Sequence, residues 1–145
     1  MSTDFITLDH ARTVITSVRA AGRHRGLNPL SVVVLDAGGH VLAFEREDGS
    51  SNRRFEIAFG KAHGALALGI GSRALMARAE QQPYFVAAVT SAVGGALIPV
   101  PGGVIIRNAA GRTLGAVGVT GDTSDNDEAA AVVGIEAIGL VAVTG

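Results

Sequence analysis

The chain contains no cysteine, which excludes disulfides, thiolate catalysis and thiolate-ligated metals while leaving every redox compartment open. Aromatic residues are scarce: five phenylalanines, one tyrosine and no tryptophan. The net charge is −1 and the pI is near 6.4. Nucleic-acid binding is therefore not expected, since it needs a basic footprint and bases stack on aromatic side chains. Several catalytic signatures are missing as well, among them the dinucleotide fingerprint, the zinc-protease helix and the G-x-S-x-G elbow. Gly60-Lys61-Ala62 lacks the upstream glycine and the hydroxyl residue of a phosphate loop. No two histidines stand at i, i+4 spacing, so no metal site is expected from local sequence. The start MSTDFITLDH shows no secretory pattern and the end no sorting motif, which makes cytoplasm the default location. Residues 83–106 are uncharged for long enough to suggest a membrane span. The second half of that run holds Gly94, Gly95, Pro99, Pro101, Gly102 and Gly103, whose broken backbone could not be satisfied in lipid, and no membrane partner is expected.

What the sequence does have is small apolar residues. It is 48% hydrophobic and 17% charged, with 20 glycines among 145 residues. A chain of this length forms one domain, residues 1–145, and buries roughly 68–70% of its unfolded surface, enough for a core without a staple. Apolar surface in excess of one core points to contacts between subunits.

In chain order, Thr7 reads as an N-cap, followed by Leu8, Ala11, Val14, Ile15, Val18 and Ala21 at helical spacing until Gly26. The other side of that helix, with His10, Arg12, Arg19 and Arg23, reads as a solvated face. Residues 31–35 and 40–45 form a hairpin around the turn Asp36-Ala37-Gly38-Gly39. His40 reads as a solvated turn residue. Arg46, Glu47, Asp48 and Gly49 form a polar loop. A helix from Asn52 to about Leu68 is apolar on two flanks, and Gly60 and Gly64 mark the approach of another backbone. A lysine in that helix, Lys61, would pair with an acid or suffer a lowered pKa if forced toward an apolar flank, the alternative being that it snorkels to solvent or pairs only for stability. His63 points away from Lys61 and reads first as packing. Shorter helices follow, one around residues 72–82 with Ser72 as its cap and one around 84–93.

The stretch 94–128 is where a site is expected. Residues 96–100, 104–108 and 113–120 read as three strands joined by glycine turns, the first confined to an edge by Pro99 and Pro101. Backbone amides at Gly102 and Gly103 could steady an oxyanion. Asp122, Asp125, Asp127 and Glu128 then crowd a helix start, where acids favour the helix dipole and Ser124, Asp125 or Asn126 would cap. A calcium loop does not fit, because its glycine and terminal glutamate are absent. The elements run α-β-β-α-α-α-β-β-β-α, an α+β domain with a five-stranded antiparallel sheet flanked by helices.

The segments VVVLDAGGHVLAFEREDG, GKAHGALAL and VPGGVIIRNAAGRTLGAVGVTGDTSDNDEAAA resemble, in order and spacing, the signatures of the GlcG/HbpS family, which is also similar to the PduO C-terminal domain. The resemblance implies a profilin-like layered fold and a homo-oligomer, from dimer up to octamer. It also implies a small-molecule ligand, with haem the leading candidate cofactor. Of the possible iron ligands, four histidines, Tyr84, Met76 and the first methionine, none falls on a motif that assigns the role. The motif positions carried over are Arg46 and Asp48 of R-x-D-G, Lys61 of K-A-x-x-A, and Asp127 and Glu128 of the D-E pair. One of these two acids is expected opposite Lys61. With Gly102, Gly103, His63 and Tyr84 they make the candidate ligand-binding set, and Glu80 and Phe85 join Tyr84 as possible wall residues. The alternative is an enzyme acting on an anionic metabolite by proton transfer, hydration or hydrolysis. There Arg46 and Lys61 would hold a carboxylate, and Asp127 or Glu128 would act as general acid or base.

Overall fold

Residues 3–145 are described by the computed structural model of the chain. Helix α1 (Leu8–His24) starts at Thr7, whose hydroxyl accepts from His10 N at 3.0 Å while Thr7 N donates to His10 Nδ1 at 3.1 Å. This reciprocal cap satisfies two amides that a helix start leaves orphaned. Strands β1 (Ser31–Asp36) and β2 (Val41–Arg46) form the hairpin read from the sequence. Its turn is closed by Asp36 Oδ1, which accepts from Gly38 N at 2.9 Å and His40 N at 3.0 Å. Burial works against the charge of Asp36, but these amides outweigh it and hold the carboxyl below its ordinary pKa.

Three helices follow, α2 (Arg54–Leu68), α3 (Ser72–Gln81) and α4 (Pro83–Ala92). Gly69, in the left-handed conformation at φ 72°, ends α2. Strands β3 (Gly103–Arg107) and β4 (Thr113–Thr120) then lead into α5 (Ser124–Ala137) and a short β5 (Val141–Val143). The sheet order is β2-β1-β4-β3-β5, and every neighbouring pair is antiparallel.

The fold class is the α+β class expected, with helices layered on a five-stranded antiparallel sheet. Two details of the element order differ. Residues 96–100 form no strand, and the fifth strand lies after α5, where Val141–Val143 pairs with Ile105, Ile106 and Arg107. The physical reason lies in the strap at 96–100. Pro99 and Pro101 cannot donate, and Ile98 N is committed to Gly60 O of α2 at 3.1 Å. The strap crosses the two helix glycines: a Cβ on Gly60 would come within 2.8 Å of Ile98 Cγ1, and one on Gly64 within 3.0 Å of Leu97 Cα. The cap of α5 is Thr123, whose hydroxyl accepts from Asn126 N at 3.2 Å, rather than Ser124, Asp125 or Asn126.

Strand alternation sends Val32 and Val34 to the face covered by α1 and α5, where Val14, Val18 and Ile135 meet them. Val33 and Leu35 go to the opposite face, under Ala58 and Ala62 of α2. Helix α2 lies so close to the sheet that a side chain on Gly118 would collide with Ala58 O, and one on Gly103 with Lys61 O. Among the described residues no helix is long and apolar enough to cross a membrane.

Candidate functional site

This close approach brings Lys61 into the interior, where its side chain is 3% exposed. Lys61 Nζ donates to Asp127 Oδ2 at 3.1 Å and to Val119 O at 3.0 Å. Asp127 sits in the first turn of α5, 1% exposed, and its Oδ1 accepts from Asp122 N at 2.9 Å. Burial pushes the Lys61 pKa down and the Asp127 pKa up, and the charge of each partner offsets only part of that. Of the two acids of the D-E pair, Asp127 is the partner of Lys61. Glu128 instead accepts from Arg73 Nε of α3 at 3.2 and 3.1 Å, and Arg73 also pairs with Asp125.

Gly102 and Gly103 close the lid over Lys61. Gly102, at φ 123°, has no room for a side chain: a Cβ there would come within 2.6 Å of Val119 O and 2.9 Å of Lys61 Nζ, so the lysine occupies space that any other residue would fill. Gly103 N donates to Ser72 Oγ at 2.7 Å. That amide is therefore engaged inside the protein. Ser72, expected as a helix cap, makes no such bond to α3; its hydroxyl holds the lid instead.

The other positions carried over from the motifs stand apart from this pair. Arg46 and Asp48 are exposed; Arg46 Nη2 donates to Ser50 O at 3.0 Å. The buried acid of the R-E-D-G run is the residue between them. Glu47 Oε1 accepts from Leu30 N at 2.7 Å and from Arg23 Nη2 at 3.1 Å, while Oε2 accepts from Arg19 Nε at 3.2 Å. Arg19 and Arg23 are thus not merely a solvated helix face. Tyr84 is 72% exposed on α4 and Glu80 is exposed. Phe85 packs in a local cluster with Leu75, Val86 and Leu97.

His63 has the more suggestive surroundings. Its Nδ1 lies 2.8 Å from Ala96 O. A carbonyl cannot donate, so Nδ1 carries the proton, which in the neutral imidazole leaves the lone pair on Nε2. The His63 ring stacks on Phe59 with centroids 5.1 Å apart, Phe59 stacks on Phe55, and Phe44 meets Phe55 edge-on; His63 thus ends an aromatic row. It lines a recess of about 130 Å³ with Ala37, Gly38, Gly39, Leu66 and Ala67. Sequence spacing of 55, 59 and 63 gives this ladder, but only the strap at 96–100 explains the fixed ring. A second recess of about 480 Å³ lies between α1 and α5, with His24 and Arg25 beside Ala20, Ala21, Val133 and Ala137. Among the described residues no cluster of three or more histidine, cysteine or acidic side chains is placed to hold a metal ion.

A small layered α+β domain, one face of its sheet occupied by a helix that buries a lysine–carboxylate pair, is the class this geometry defines. The family model for "Haem degrading protein HbpS-like" matches residues 6–136, and the chain belongs to that family. Solved structures agree. A PduOC:haem complex superposes with a TM-score of 0.84 at 20% identity, covering 95% of this chain and 98% of that one. A double mutant of Streptomyces reticuli HbpS gives 0.80 at 26% identity, covering 96% and 90%. Klebsiella pneumoniae protein ORFY gives 0.84 at 23% identity, covering 96% and 94%. No match emerges among curated protein sequences.

Proposed function

We propose that the protein binds a small planar ligand of the haem type and that His63 is the side chain that meets its iron. The observation that carries this reading is the Nδ1 to Ala96 O contact of 2.8 Å. Imidazoles that ligate metals characteristically donate their other ring nitrogen to a carbonyl or carboxylate, which fixes the tautomer and the ring plane. The residues around it fit such a ligand: Phe59 and Leu66 are apolar, and Gly38 and Gly39 present bare backbone. A bound haem would supply an iron centre for ligand binding and redox chemistry, with His63 as the side chain that would hold it. Membership of the HbpS-like family and the fold shared with a protein crystallised as a haem complex support the assignment.

The recess is smaller than the roughly 300–1,000 Å³ of ordinary ligand pockets. We take the rest of the ligand's cover to come from a second copy, so the working form is a homo-oligomer. Exposed Phe5, Leu8, Val41, Val133 and Val141 give each copy apolar surface to bury. The enzyme reading through Lys61 and Asp127 gains no support from geometry. The pair is sealed, and Gly103 N is already used by Ser72.

The test is a haemin titration followed by absorbance on wild type, His63→Ala and His24→Ala. A saturable Soret band in wild type and His24→Ala, lost in His63→Ala, is the expected result. A featureless, non-saturating response in wild type overturns haem binding. Loss in His24→Ala alone moves the ligand to the recess between α1 and α5.

A further inference from the structure

The first residue of β1, Ser31, stands opposite Arg46 of β2 and opposite Thr120 of β4. Directly opposed residues of antiparallel strands project to the same side, so Arg46, Ser31 and Thr120 form one row. Its side is the α2 side, because Val33, two residues on, packs with Ala58 and Ala62. Arg54, in the first turn of α2, reaches that row, with Nη1 donating to Thr120 Oγ1 at 2.9 Å. The loop above contributes Ser50, whose carbonyl accepts from Arg46, and Ser51, whose hydroxyl accepts from Arg54 Nε at 2.9 Å.

Two features of this corner have no account in the fold. Ser31 is completely buried, and its hydroxyl and that of Ser50 have no hydrogen-bond partner. Such a group is costly, and native proteins rarely retain one without a use for it. The second feature is charge. Among the described residues Arg46 and Arg54 face no carboxylate, as is true also of Arg12, Arg25, Arg78, Arg107 and Arg112, but these two stand at one corner beside the unpartnered hydroxyls. Arg54 acts on Lys61 as an unfavourable like charge, and the charge of Lys61 is already matched by Asp127.

We infer that this corner is a subsite for a small oxyanion, a carboxylate or phosphate group, held by Arg46 and Arg54 with the hydroxyls of Ser31 and Ser50. Guanidinium groups are planar donors suited to such oxygens, hydroxyls turn to donate, and an oxyanion offers enough lone pairs for all four. The start of α2 acts in the same sense, since its cap residue Arg53 places no side chain on the first-turn amides. The subsite is separate from the haem reading: His63 lies nine residues along α2, about 13 Å at 1.5 Å per residue.

Thermal unfolding of the full chain in sodium phosphate and in sodium acetate, each against chloride of equal ionic strength, tests it. A saturable rise in Tm is expected with one of the two, and which one identifies the anion. Arg46→Gln, at an exposed side chain that leaves the core intact, should weaken the midpoint of that rise at least about tenfold. Ser31→Ala should unfold no earlier than wild type in chloride, because it removes an unpartnered hydroxyl, yet lose the anion-dependent rise. His63→Ala should keep the anion-dependent rise of wild type, which separates this subsite from the ligand at His63. No response above chloride, or a rise that survives Arg46→Gln or Ser31→Ala unchanged, overturns the inference.

Discussion

Lys61 Nζ and Asp127 Oδ2 stand 3.1 Å apart with both side chains sealed from solvent, and they tie α2 to the first turn of α5. Charges removed from water lose hydration that their mutual attraction rarely restores in full. The shifts of both groups toward their neutral forms follow from that balance. Each partner also holds a backbone group, Val119 O for the lysine and Asp122 N for the aspartate. The pair therefore specifies how α5 sits on the sheet more than it stabilises the fold.

Removing one partner should be much worse than removing both. Lys61→Met or Asp127→Leu alone leaves a buried charge uncompensated, at a cost of about 3–5 kcal/mol. The double variant should lose clearly less than the sum, and a urea-denaturation cycle of the four proteins measures the coupling.

The pair should also contribute least near neutral pH. Asp127 has a raised folded pKa, so its contribution is complete below the unfolded value of 3.8 and is lost as pH rises through the folded pKa. Lys61 has a lowered folded pKa, so its contribution is complete above 10.5 and is lost as pH falls through the folded pKa. The stability of wild type relative to the Lys61→Met, Asp127→Leu double variant should accordingly pass through a minimum between those limits. A series of denaturation curves across pH reads this directly, and a maximum near neutrality would contradict it.

Glycines should divide by what their missing side chain would meet. A Cβ on Gly118 would collide with a backbone oxygen, Ala58 O, that cannot move without displacing α2, whereas one on Gly60 would press on the side chain of Ile98. Gly118→Ala is expected to cost more than about 4 kcal/mol, in the range reserved for broken packing. Gly60→Ala should cost far less, because part of the clash is relieved by an Ile98 rotamer and alanine favours the helix by about 1 kcal/mol. Chemical denaturation, or loss of soluble protein for Gly118→Ala, distinguishes them.

Much of this arrangement is legible in the sequence because it is encoded locally. Thr7 before an apolar stripe, Asp36 before two glycines and Gly69 after α2 each fix a boundary by their own chemistry. A lysine near apolar helix flanks favours an acid partner, and the resemblance offers Asp127 or Glu128 of the D-E pair for that place; the structure selects Asp127. What the sequence hides depends on tertiary contact. The run 96–100 is apolar and β-branched like a strand, but its amide at Ile98 goes to Gly60 O. Three residues, Val141–Val143, are too few to show a period. In R-E-D-G the eye goes to the outer charges, yet only Glu47 is reached by α1. Ser31 sits in a β-branched run where nothing marks its hydroxyl as unpartnered.

That contrast within R-E-D-G gives a comparison between adjacent acids. Glu47 is buried and accepts from Leu30 N, Arg19 and Arg23, joining the start of β1, the end of β2 and α1. Its removal strands a buried amide, takes from Arg23 its carboxylate and leaves Arg19 with Glu45 alone, so Glu47→Ala should cost about 3 kcal/mol. Asp48, one residue on, is exposed, and Asp48→Ala should fall within about 0.5 kcal/mol of wild type. Glu47→Gln keeps an oxygen for Leu30 N but cannot hold both guanidinium groups, so it should fall between the two. Equilibrium denaturation of the three variants checks the order. If Asp48→Ala proved the more damaging, the α1 to β2 tie through Glu47 would not be what holds this edge.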